Sequence, residues 1–109
     1  MQIPLQITFR GMSPSAPVEQ LIRERSARIE RFHESIIRCH VVVDVPHRHQ
    51  RRGRMYSVRL DIRTPTGEIV VTHEHPLAAS SQEIDTAVRA AFDTATRQLE
   101  DDVRRRRSS

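Results

Sequence analysis

The sequence predicts an α+β fold in two layers, with element order β-α-β-β-β-α and both helices on one face of a four-stranded mixed sheet. Three observations predict it. Four segments, "IPLQITF", "IRCHVVVDV", "YSVRLDI" and "EIVVTHEH", alternate apolar and polar residues, so each reads as a strand with one buried face. Two longer segments repeat apolar residues at helical spacing, so each reads as a helix with one buried stripe. At 109 residues the chain is the size of one domain and can close one core without disulfide or metal support.

In the first strand Ile3, Leu5, Ile7 and Phe9 share a face. Pro4 removes a ladder donor, which suits an edge strand. "GMSPSAP" breaks the strand; Ser13 or Ser15 can cap a helix, and proline is tolerated in its first turn. Val18, Leu21, Ile22, Ile29 and Phe32 then predict a helix over 16–33. Arg25 falls inside that apolar stripe and Arg28 on its border. Such an arginine either snorkels to the rim or points into a cleft that a ligand fills.

Ile37, Cys39, Val41, Val43 and Val45 form the inward face of the second strand. Cys39 is then core packing rather than a nucleophile. Tyr56, Val58, Leu60 and Ile62 face inward from the third strand, and Ile69 and Val71 from the fourth. Between them "TPTG" reads as a tight turn, with Gly67 permitting positive φ. Ser80 and Glu83 are spaced as a capping box for the last helix, whose stripe is Ile84, Ala87, Val88, Ala91, Phe92, Ala95 and Leu99. Asp102 would return to the apolar face, so the packed helix is expected to end near Leu99 to Asp101. This gives one domain over 1–101 and a frayed, flexible basic tail over 102–109.

One-sided strands and helices pack most simply as two layers. The β-α-β unit should join parallel strands by a right-handed crossover, and the rest should be an antiparallel meander. The stretch "VPHRHQRRGRMYSV" then shares one end of the sheet with "HEH". That end gathers His47, His49, His73, His75, Arg48, Arg51, Arg52, Arg54 and both positive helix N-termini. Three chemistries fit it. His-x-His on a strand could ligate zinc, although four arginines oppose a bound cation. Arginines and helix-start N–H groups could hold phosphate. Or the loop is simply a solvated charge run.

The net charge is +4, and all 18 basic residues are arginine. A basic surface attracts polyanions, although a GC-rich genome also replaces lysine codons with arginine codons. One cysteine excludes an intrachain disulfide. "MQIPLQITFRGM" lacks the pattern of a signal peptide, and no apolar run approaches the roughly 18 residues of a membrane span. A cytoplasmic protein with no membrane partner is expected. There is no nucleophile elbow, Gly-rich phosphate loop or HExxH, so no enzyme, cofactor or small-molecule substrate is expected. The alternative is a His-cluster metal-binding protein, possible as a metal-dependent hydrolase. Phe9, Phe32, Tyr56 and Phe92, the only aromatics, all fall at inward positions. With none left to stack on bases, any RNA should be read by backbone and shape.

The element order, "RSARIERF" in the first helix and "AVRAAFDTATRQLED" in the second resemble the ribosome hibernation promoting factor and ribosome-associated inhibitor A family. "VVVDVPHRH…GRMYSVRLDI" is similar to a branch with His-rich turns here. The resemblance runs from Ile3 to about Asp101. It implies a fold like that of double-stranded-RNA-binding domains and a partner, the small ribosomal subunit. It implies a non-enzymatic inhibitor of translation that docks on small-subunit rRNA and blocks the mRNA and tRNA sites. A basic pair in the family's first helix is matched by Arg25 and Arg28, and an Arg-Gln-Leu in its second by Arg97, Gln98 and Leu99. Two departures stand out. "EDD", Glu100 to Asp102, replaces alternating lysines, and Thr94 replaces a basic residue. Arg104 and Arg105, with the "VPHRHQRRGR" arginines, would then supply phosphate contacts. Without the C-terminal extension that pairs ribosomes in the family's long forms, the sequence resembles a short form or the N-terminal domain of a longer protein.

Overall fold

The computed structural model describes residues 4–33, 35–45, 55–76 and 81–108. Its elements are β1 (Leu5–Arg10), α1 (Ala16–Phe32), β2 (Arg38–Asp44), β3 (Met55–Thr64), β4 (Gly67–Pro76) and α2 (Ser81–Ser108). The strands lie in the order β1-β2-β3-β4. β1 pairs parallel to β2, with Leu5 opposite Cys39 and Phe9 opposite Val43. The other two pairings are antiparallel, with Val41 opposite Leu60 and Leu60 opposite Val71. This is the α+β sheet that the alternation predicts, with β1 at an edge as Pro4 suggests. The Pro4 carbonyl accepts a hydrogen bond from the Cys39 N–H at 3.0 Å.

One core holds the sheet to both helices. Val41, Val43, Val58, Leu60 and Ile62 are buried from the strands, Val18, Ile22 and Ile29 from α1, and Val88, Phe92 and Leu99 from α2. The opposite sheet face carries Thr8, His40, Asp44, Arg59 and Asp61, as the period-two pattern requires, with Val42 and Val70 among them. There the Thr8 hydroxyl lies 3.0 Å from His40 Nε2. Gly67 has φ 149° and closes the Thr64–Gly67 turn, where the Thr64 hydroxyl donates to the Gly67 carbonyl at 3.0 Å.

Three expectations are corrected. Ile37 is 48% exposed, because the strand begins one residue later and Ile36 takes the core place. Phe32 is 73% exposed. It shares its side of α1 with Leu21, Arg25 and Arg28, and beyond Leu21 that side faces a groove rather than the core. Finally, α2 does not stop near Asp101 but continues to Ser108. Among the described residues Leu99 is the last one buried, so the described packing does end there. Helix continues beyond because Arg104 pairs with Asp101 at 3.4 Å and Arg105 with Asp102 at 4.0 Å, each one turn apart. Arginines in the last turns also suit the negative end of the helix dipole.

Candidate nucleic-acid interface

The groove lies between two helices that run in the same direction. Both helices start at the end of the sheet where β1 and β4 finish, so α1 and α2 are parallel neighbours. Ser15 caps α1, its hydroxyl accepting from the Val18 N–H at 3.4 Å, with Pro17 in the first turn and Glu19 beside the positive dipole end. At the other end the His33 N–H reaches the Ile29 carbonyl at 2.9 Å. The caps fix where α1 starts and ends, and burial of Val18, Ile22, Ser26 and Ile29 sets the rotation that turns Arg25, Arg28 and Phe32 toward α2.

The groove has a volume of about 310 Å³. Arg25, Arg28 and Phe32 form its α1 wall, and Asp93, Thr96 and Glu100 its α2 wall. Ile29 and Phe92, both buried, lie at its floor. Arg25 therefore does not snorkel away; it faces the cleft. Its guanidinium stands 4.0 Å from the Asp93 carboxylate, with the arginine side chain 22% exposed. Arg28 is exposed and has no ion-pair partner among the described residues. It is a cation available to an anionic ligand.

The other arginines divide into three groups. Arg97 is exposed on α2 but does not line the groove. Arg104 and Arg105 lie beyond the core, paired to acids on their own helix. Such exposed pairs are weak and exchange readily for phosphate. Arg48, Arg51, Arg52 and Arg54, with His47 and His49, lie outside the described residues, as does the Ser80–Glu83 capping box. "HEH" is described in part: the His73 Nε2 lies 3.2 Å from the Thr94 hydroxyl, joining β4 to α2. Among the described residues no three His, Cys, Asp or Glu side chains group closely enough to hold a metal ion.

Cys39 is 3% exposed. Burial pushes its thiol up to about 12; a hydrogen bond with Ser26 acts against this, and the Asp61 charge adds a smaller upward push. A thiol held so firmly protonated is packing, not a nucleophile.

Three features of the groove escaped the sequence. Phe32 was counted as core because its spacing from Ile29 matches a buried stripe. Asp93 and Glu100 were not placed opposite the arginine pair, because nothing local in the chain links α2 to α1. The "EDD" segment carried the available signal, an acid where the resemblance has a base.

Residues 5–107 match the family model described as sigma 54 modulation protein / S30EA ribosomal protein. Two of the solved structures that share the fold illustrate the similarity. A ribosomal subunit interface protein from Coxiella burnetii superposes with a TM-score of 0.71 at 17% identity, covering 91% of this chain and 96% of that one. The N-terminal domain of Thermus thermophilus Protein Y gives 0.66, also at 17% identity, with the same coverage of 91% and 96%. No curated protein sequence matches the chain.

Proposed function

The chain belongs to the sigma 54 modulation protein / S30EA ribosomal protein family, and we propose on that footing that it is a ribosome hibernation factor acting on the small subunit. It binds ribosomal RNA through arginines and silences translation by occupying the space that mRNA and tRNA need. It acts by occupancy in the cytoplasm and catalyses nothing. The observation that carries this is the Arg25–Arg28 pair, turned into an open interhelical groove of about 310 Å³. Arg28 offers a fork of donors that matches phosphate oxygens. Arg97, Arg104 and Arg105 extend the cationic surface along α2, and the arginines of 48–54 would add to it from the loop.

The test is sedimentation with purified small subunits at two salt concentrations. Each phosphate neutralised releases counterions, so affinity should fall steeply as salt rises. With four or five phosphate contacts, the loss from 50 to 200 mM salt is about 100-fold or more. Arg25→Glu with Arg28→Glu should abolish the association at both salts. Absence of association at low salt removes the proposal; intact binding by the double variant moves the contact to the loop or to the end of α2.

A further inference from the structure

The groove is not a plain cationic trough. Its α1 wall carries Arg25 and Arg28, and its α2 wall carries Asp93 and Glu100. At its rim Phe32, one turn beyond Arg28, leaves 73% of its surface in water. An exposed ring on the basic wall, facing an acidic wall, restricts the occupant. The carboxylates of an acidic peptide or an anionic lipid headgroup would meet Arg25 and Arg28 but leave Phe32 without a flat partner and Glu100 without a donor. A basic peptide would meet repulsion from Arg25 and Arg28. A nucleotide satisfies all three features: an anionic phosphate, a flat π-face, and amino groups on the base edge.

We propose that the groove seats one unpaired nucleotide, its base stacked on Phe32, its phosphate held by Arg28 and Arg25, and its amino edge accepted by Glu100. The inference builds on the reading that the partner is ribosomal RNA, and adds that one base is read there. Carboxylates accept hydrogen bonds from exocyclic amines such as that of cytosine. Adenine, cytosine and guanine present such an amine; uracil has none and presents carbonyl oxygens in its place, which a carboxylate repels. Glu100 thus becomes a selector. The expectation that RNA is read by backbone and shape alone rested on four inward aromatics, and Phe32 is not one of them.

The chain contains no tryptophan, so Phe32→Trp installs a single indole reporter at the stacking position. Its emission should be quenched by purified small subunits, and by oligoadenylate or oligocytidylate more than by oligouridylate. Phe32→Ala should weaken small-subunit binding by roughly 5- to 150-fold, the usual range for one lost stacked base. Phe32→Leu keeps an apolar side chain without a ring and should not restore binding. Glu100→Gln, which donates as well as accepts, should narrow the preference against oligouridylate. Unchanged binding by Phe32→Ala with an unquenched indole overturns the inference, and so does full rescue by Phe32→Leu, which would indicate a protein partner packing on the ring. If the unmodified protein fails to associate with small subunits, the ribosomal reading falls, and the oligonucleotide series still decides whether the groove takes a nucleotide.

Discussion

The Arg25 guanidinium stands 4.0 Å from the Asp93 carboxylate, bridging the two helices across the groove. The two side chains differ in exposure, 22% against 69%, so the arginine is held while the acid is largely in water. A pair of this kind contributes little to stability. Its larger effect is on ligands, because Asp93 competes with phosphate for Arg25.

Asp93→Asn should therefore tighten binding to small subunits while leaving the fold intact. Removing a competing exposed charge is worth about 0.5–1 kcal/mol, a two- to fivefold gain at low salt. The gain should shrink as salt rises, because screening already weakens the competition. Titration at two ionic strengths checks this. Equal or weaker binding at low salt would show that phosphate does not reach Arg25.

Gly11→Ala should be strongly destabilising. Gly11 has φ 74°, and a Cβ there would run into the Val45 carbonyl oxygen. The neighbouring Val45 N–H donates to the Arg10 carbonyl at 2.8 Å, so this is where β1 and β2 close together at their ends. Left-handed strain and the collision should together cost about 2 kcal/mol or more. Gly67→Ala supplies the comparison, since φ there is 149° but nothing stands within 4 Å of the added carbon. Urea denaturation midpoints should fall further for Gly11→Ala; equal shifts would mean that strain alone decides.

Cys39 makes stability depend on pH at the alkaline end. Its thiol is raised from 9.0 to about 12, first by burial. A raised value means that the folded state favours the protonated thiol. The contribution is complete below the unfolded value near 9 and is lost as pH climbs toward 12. Across that window it changes by about 1.4 kcal/mol per pH unit at most. The stability difference between the unmodified protein and Cys39→Ala should therefore shift against the unmodified protein between pH 9 and 11. Parallel profiles in urea melts would remove the assignment.

The strand faces were legible because a period of two has one meaning in a one-sided sheet: Val41, Val58 and Leu60 could face only the helices. Ser15 and Gly67 were legible because capping and turn chemistry are local. Phe32 was not, because spacing says which side of a helix a residue takes, not whether the neighbouring helix covers that side. Arg25 was legible as an anomaly, a charge on an apolar stripe, but its partner Asp93 lies on another helix far along the chain. The course of α2 past Leu99 was missed because apolar periodicity does not register the ion pairs of Asp101 and Asp102 that continue it.

The parallel register of β1 also bears on the order in which the chain assembles. β2, β3 and β4 form a meander whose turn at Thr64–Gly67 closes locally, whereas Leu5 meets Cys39 only after the whole of α1 has been folded back between them. Closing that longer loop surrenders more chain freedom before any contact compensates. β1 is thus the strand whose departure returns most entropy for the fewest ladder bonds, and the amide hydrogens of Gln6 and Thr8, which face β2, should exchange ahead of those of Val58 and Leu60. Equal protection would mean that the sheet opens as one cooperative unit.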